Sequence, residues 1–341
     1  MALSTRYGNG STAVISDDVS CRIQNVTVKY KLDNGEFAAI RSVSANIPSG
    51  KITAMIGESG SGKTTLGLAM LNGVSHPGRV AEGVIEYTGV GDILSKEGEE
   101  LRKLRGKHVG MVFQAAQSSL NPLKKVGSII IDLAKSHGYE DPKVLIRSAC
   151  DLARRMSLDP DRVLSSFQHQ LSGGMRQRVS IILALILEPK ILILDEPTTA
   201  LDILSQATVL KVLREIQEER ELTTVLITHD MGVVAELSDQ VYVMYAGKIV
   251  EEGNTSELLQ NPRHPYTRAL IQAIPRLTGD RSKAVPLLGS PPEISSTPNE
   301  GCVFAKRCAF RLDICEYGET PRRITDDGHQ YLCHLNEEGL A

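Results

Sequence analysis

The sequence predicts an α/β protein: a P-loop nucleotide-binding core with an antiparallel β layer ahead of it, a helical subdomain inserted in it, and an irregular, cysteine-containing C-terminal extension. Three observations carry this reading. Gly57-Glu58-Ser59-Gly60-Ser61-Gly62-Lys63-Thr64 fits the phosphate-loop pattern G-x-x-x-x-G-K-[ST], between an apolar run at Lys51–Ile56 and a helical run at Thr64–Leu71. Two further apolar runs, Ile191–Leu194 and Thr223–Thr228, end in Asp195-Glu196 and His229-Asp230, the way buried parallel strands end at a ligand-bearing edge. Four cysteines, at 302, 308, 315 and 333, crowd the C-terminal end.

Taken in order, residues 1–20 are rich in Ser, Thr, Asn and Gly and read as a mobile tail. From Ile23 to Tyr30 the alternation Val26, Val28, Tyr30 has the two-residue period of a half-buried strand. Asn34-Gly35 is a tight-turn signal, and the return strand runs from Phe37 towards Val43. Strands are expected at 51–56, 83–88 and 108–113. Between 115 and about 188 the periodicity becomes helical, as in Val126, Ile129, Ile130, Leu133 and again in Leu145, Ala149, Leu152, Ala153. A long helix is expected from Met175, after the paired glycines of Leu171-Ser172-Gly173-Gly174. Strands at 191–195, 223–228, 241–245 and 248–252 complete the core. Beyond about 278 the prolines and glycines mark the extension, so the divisions expected are 21–278, with the helical part at 115–188, and 279–341.

Composition excludes several classes. A formal net charge of −3, with no basic domain, argues against nucleic acid as a partner. The most apolar stretch, Ile181–Leu194, is broken by Glu188-Pro189-Lys190 and falls short of a membrane span. The N-terminus lacks a basic segment followed by an apolar run, so a cytoplasmic chain is expected.

The chemistry of the loop is that of triphosphate binding. Glycines 57, 60 and 62 let successive N–H groups face phosphate oxygens, and the helix N-terminus adds partial positive charge. Ser59, Gly60, Ser61, Gly62, Lys63, Thr64 and Thr65 form the expected ATP-binding run, with Lys63 reaching the β- and γ-phosphates and the Thr64 hydroxyl on Mg²⁺. Asp195, Glu196 and His229 fall at strand ends on the same edge, so three strand ends converge on one phosphate.

Gly57–Thr64, Gln114, Leu171-Ser172-Gly173-Gly174-Met175-Arg176-Gln177, Asp195-Glu196, Ala200-Leu201-Asp202 and His229 together resemble an ABC transporter ATPase subunit over roughly residues 21–275. More narrowly, Ser118-Ser119-Leu120-Asn121-Pro122, Val243–Gly247, His264-Pro265-Tyr266-Thr267 and the C-terminal cysteines are similar to the oligopeptide and dipeptide importer subfamily, which also serves nickel and oligosaccharides. The resemblance implies roles. Asp195 holds Mg²⁺ through water, Glu196 polarises the attacking water, Gln114 senses Mg²⁺ and the γ-phosphate, His229 contacts the γ-phosphate, and Tyr30 stacks on adenine. Ser172, Gly173 and Gly174 close on the ATP of a second ABC ATPase subunit, identical or different, so that ATP joins a head-to-tail dimer. The implied partners are two integral-membrane permeases and an extracellular or periplasmic substrate-binding protein, with this chain peripheral on the cytoplasmic face of the inner membrane. The segment 118–122 is where a permease helix docks, with Leu120 in the apolar contact.

Cys302, Cys308, Cys315 and Cys333 are separated by 5, 6 and 17 residues, and four thiolates suit either tetrahedral Zn²⁺ or an iron–sulfur cluster. The arrangement is similar to the [4Fe–4S] site near the C-terminus of some dipeptide importer ATPases. Cys21 and Cys150 read as packing residues. The function implied is ATP-driven peptide uptake; the alternatives are the same importer type for nickel or oligosaccharides, or a soluble ABC ATPase acting on ribosomes or DNA. The 57 residues between Gln114 and Ser172 leave no room for the long coiled-coil insertion usual in that last class.

Overall fold

The structure is a computed structural model that describes residues 19–33, 35–114, 120–273, 287, 289–298 and 300–336. Most of the expected tail, Asn34 of the hairpin turn, Ser118 and Ser119 lie outside the described residues, as do 279–286 at the start of the extension.

Two sheets form the core. The first is antiparallel and contains β1 (Val19–Leu32), β2 (Gly35–Pro48), β4 (Gly78–Tyr87) and β5 (Gly91–Asp92) in the order β2-β1-β4-β5. β1 does not keep a simple two-residue period. Register shifts on either side of Val26 bring Val26, Thr27 and Val28 all into the interior, with Asn25 held at φ 49°.

The second sheet carries β3 (Ile52–Ile56), β6 (Val109–Val112), β7 (Ile191–Asp195), β8 (Thr223–Ile227), β9 (Gln240–Tyr245) and β10 (Lys248–Asn254). With β11 (Arg322–Ile324) and β12 (Gln330–Leu332) from the extension, its order is β11-β12-β10-β9-β3-β8-β7-β6, and the strands from β9 to β6 are parallel. Every residue of β3, β7 and β8 is buried, which is why these strands read as unbroken apolar runs. Met55, Ile193 and Ile227 of this sheet share one apolar cluster with Leu66 of the helix that follows β3 and with Ile23, Val28 and Ile40 of the first sheet. The sheet packs on helices as well.

The helical subdomain comprises Val126–Ser136, Lys143–Arg155, Pro160–Ser165 and Gly173–Leu185. Leu145, Ala149, Leu152 and Ala153 form the buried stripe of the second helix, as their spacing requires. Leu120 differs from expectation. It is 6 % exposed and belongs to this chain's own core, so it does not face a docking partner, whereas Leu123 is 85 % exposed. An 18-residue helix at Ile203–Arg220, capped by the Asp202 carboxylate, follows β7. No helix among the described residues is long and apolar enough to cross a membrane.

The extension, otherwise irregular, ends in a hairpin of β11 (Arg322–Ile324) and β12 (Gln330–Leu332), and β12 pairs antiparallel with β10 through Glu251↔Tyr331 and Glu252↔Gln330. Glu251 is the anchor. Its fully buried carboxylate accepts from the N–H groups of Arg263 (2.5 Å) and His264 (3.0 Å) and from Nε2 of His329 (2.7 Å). Phe304, 2 % exposed, packs among Tyr245, Tyr266 and His264, and such a burial stabilises by about 2 kcal/mol.

Candidate nucleotide site

β3 ends at Ile56, and the chain turns through the phosphate loop into the helix Lys63–Met70. Two glycines are required by geometry. Gly57 has φ +148° and a Cβ there would come within 2.2 Å of the Met244 carbonyl oxygen; Gly62 has φ +103° and its Cβ would meet the Ala39 oxygen at 2.9 Å. The loop therefore lies directly against β9 and β2.

Lys63 is 8 % exposed and its Nζ donates to the carbonyls of Gly57 (2.8 Å) and Glu58 (2.9 Å) and to Oγ of Ser61 (3.2 Å). Burial lowers its pKa, an effect opposed by Glu196, Asp195 and Glu58. The Thr64 hydroxyl donates to Oδ2 of Asp195 (2.8 Å), while Oδ1 of Asp195 is buried with no partner among the described residues. Burial raises the pKa of Asp195, the Thr64 hydrogen bond lowers it, the Glu196 charge raises it and Lys63 lowers it. The residues fit a magnesium ion: a hydroxyl and an unpaired carboxylate oxygen are the hard donors that such an ion takes.

Glu196 follows β7 in the left-handed region, with φ +51° and its N–H donating to the Ile227 carbonyl (2.9 Å). That backbone turn aims the carboxylate towards β8. Oε1 accepts from Nδ1–H of His229 (2.7 Å), and Oε2 accepts from the Thr199 hydroxyl (3.2 Å). Two strand ends thus hold each other.

A cavity of about 910 Å³ brings together Tyr30, the run Ser59–Thr65, Gln114, Asp195, Glu196 and His229. Ser172, Gly173 and Gly174 are not among its lining residues. They begin the helix Gly173–Leu185, where the exposed Ser172 caps the N–H of Met175 (3.3 Å) and Gly174 approaches Leu201 and Ala200. Sequence reasoning missed the part of the cavity lining that comes from Pro291, Pro292, Glu293, Ile294 and Thr297 of the extension. No local signal marks them, because their role arises only from tertiary folding.

Cys302, Cys308, Cys315 and Cys333 are free thiols and act on one another electrostatically. Burial raises Cys302 and Cys333 and pushes Cys308 up to about 11. Yet among the described residues no group of three or more His, Cys, Asp or Glu could hold a metal ion. The two observations differ because mutual charge effects extend over several ångströms, whereas ligation requires a closed shell. The thiols are metal ligands by type alone, and the expected four-cysteine centre is not formed among the described residues.

Residues 40–199 match the family model for the ABC transporter, and residues 250–315 match that for the oligopeptide/dipeptide transporter, C-terminal region. The dipeptide transport ATP-binding protein DppD of Caldanaerobacter subterraneus subsp. tengcongensis is 42% identical over 320 residues, 93% of this chain and 97% of that protein. The chain belongs to the oligopeptide/dipeptide family of ABC transporter ATP-binding subunits. The oligopeptide transport ATP-binding protein OppD of Bacillus subtilis is 37% identical over 310 residues, covering 90% of this chain and 86% of that one. A bacterial ABC transporter cassette solved as a dimer superposes with TM-score 0.60 at 29% identity, over 69% of this chain and 98% of that chain. The same cassette, solved after hydrolysis with ADP and Pi, superposes with TM-score 0.59. As an ABC ATPase this chain hydrolyses ATP, and the cavity above is where its phosphate loop and acidic strand end meet.

Proposed function

We propose that this ABC ATPase powers uptake of dipeptides or oligopeptides through two separate membrane permeases fed by an extracellular or periplasmic binding protein, from the cytoplasmic face of the membrane. The observation that carries the catalytic half is the convergence of Glu196–His229 and Thr64–Asp195 around one cavity that also holds Lys63. The match of residues 250–315 to the peptide transporter C-terminal region supports the substrate class.

In this reading Lys63 and the loop N–H groups bind the β- and γ-phosphates. Thr64, Asp195 and Gln114 hold Mg²⁺, which offsets the charge that develops on the transferred phosphoryl group. Glu196 accepts a proton from the attacking water, and His229, fixed by its bond to Glu196, presents its other ring nitrogen to the γ-phosphate. Tyr30 stacks on the base. Ser172, exposed, and the half-buried Gly173 and Gly174, none of which lines the chain's own cavity, serve the ATP of a second ATPase subunit. The four cysteines of the extension hold a [4Fe–4S] cluster rather than zinc; the grouping of four thiols within this one short segment, and their electrostatic influence on one another, support that reading.

Glu196→Gln tests the mechanism. The amide keeps the shape and removes the base, so ATP binding persists while turnover falls about 10²- to 10⁴-fold. Hydrolysis within about threefold of the parent, in a steady-state phosphate-release assay, would remove Glu196 from the role.

A further inference from the structure

The second residue of the phosphate loop is an acid. Glu58 lines the nucleotide cavity, and a carboxylate there repels the polyphosphate that the loop exists to bind. The fold answers this charge from 249 residues away. Arg307 of the extension grips Glu58 with both ends of its fork, Nη1 to Oε2 at 2.6 Å and Nη2 to Oε1 at 3.1 Å, the planar pairing that guanidinium alone provides. The Arg307 side chain is 7 % exposed and that of Glu58 24 %, so solvent screens the pair only in part. Tyr245 supports the guanidinium through its hydroxyl (3.3 Å) and its ring face (5.7 Å to the centroid). The backbone of Glu58 is fixed as well. Its N–H donates to the Tyr266 hydroxyl (2.8 Å), and its carbonyl accepts from Lys63 Nζ (2.9 Å). A line of contacts thus runs from Arg307 through Glu58 to the lysine of the loop.

A second observation places the same extension at the site. Pro291, Pro292, Ile294 and Thr297 line the same cavity as the loop, and Arg41 of β2 ties that segment down by donating to the carbonyls of Pro298 (2.8 Å) and Thr297 (3.3 Å).

We propose that the C-terminal extension completes the ATP site, with Arg307 as a positioning residue that cancels the Glu58 charge and fixes the first turn of the phosphate loop for a polyphosphate ligand. The inference rests on reading the cavity as the ATP site. Arg307 touches no reacting atom, so its loss acts on nucleotide affinity more than on the chemical step.

The test is ATP affinity by calorimetry, together with KM and kcat, on the full chain. Arg307→Ala should raise the Kd and KM for ATP about tenfold or more while kcat stays within about twofold, and Arg307→Lys should fall between, having the charge without the fork. Adding Glu58→Gln to Arg307→Ala should return Kd to within about threefold of the parent, because the repulsive charge has gone; a residue that merely braced the extension would show no such rescue. ATP binding by Arg307→Ala within twofold of the parent overturns the proposal, as does a double variant as weak as the single one. Should Arg307→Ala not fold, Arg307→Lys with and without Glu58→Gln decides by the same rescue. A parent chain that binds no ATP would sink the assignment of the cavity itself; a parent that binds, with variants unchanged, sinks only the role of Arg307.

Discussion

Asp195 shows how one side chain can be placed for a ligand by what it lacks as much as by what it touches. One oxygen is held by Thr64, the other is buried without a partner among the described residues, and burial pushes its pKa up. An unpaired buried acceptor of this kind costs about 1–3 kcal/mol unless a ligand satisfies it. Asp195→Asn keeps an oxygen for the Thr64 hydroxyl and removes the charge. We expect the Mg²⁺ concentration needed for half-maximal ATPase activity to rise about 10- to 100-fold, read from a Mg²⁺ titration at fixed ATP. An unchanged titration would show that the carboxylate serves only to bond Thr64. At this scale the sequence was highly legible wherever the signal was local: Lys63 and Thr64 lie inside a fixed-spacing motif, and Asp195 and Glu196 terminate an apolar run. Glu58 was read only as a variable loop position, since nothing within its own stretch announces Arg307.

Among the elements, legibility followed burial. β3, β7 and β8, buried on both faces, stood out as apolar runs, whereas the bulges of β1 broke the alternation expected of it. The helix Ile203–Arg220 carries a capping Asp202 and a buried stripe at Val209, Leu210, Val212, Leu213 and Ile216, signals that were present and unread. The three-residue strands β11 and β12 are too short to give any. The helix Pro265–Gln272 begins at His264, which is 1 % exposed; its Nδ1 accepts from the Tyr266 N–H (3.1 Å) and its ring also bonds the Leu332 backbone. Burial lowers its pKa from 6.5 to about 4, against the pull of Glu251 and of the Leu332 bond. The unfolded chain therefore takes up a proton below about pH 6.5 that the folded chain refuses until about pH 4. His264 favours folding fully above that window, and its contribution is lost as pH falls through it, by up to about 3 kcal/mol. Thermal melts between pH 4 and 6.5 should be flatter for His264→Gln than for the parent; parallel curves would exclude this residue as the source. For the cysteine element, anaerobic protein from iron-replete cells should contain about four iron atoms per chain and lose its brown absorbance when Cys308 is replaced by Ser. Stoichiometric zinc without iron would overturn the cluster assignment.

At the scale of the whole molecule, the architecture of two sheets, a helical subdomain and an extension was legible because each part has its own periodicity. How the parts combine at the site was not. The cavity is closed by β2, by the strand ends of the second sheet and by residues near 291–297, and no pattern along the chain sets those distances. The pairing of β12 with β10 carries a consequence beyond the nucleotide. Without that hairpin β10 would be the rim of a six-stranded sheet, with its own Ile249 and Val250 buried and a row of open N–H and C=O groups along its side. Such a rim is a template for adding strands from other molecules. A chain ending at Gln272 keeps the whole phosphate loop but leaves that rim uncovered, so it should self-associate at concentrations where the full chain stays dispersed, as light scattering would show. The β11–β12 hairpin is in that sense a guard against stacking on copies of the same chain.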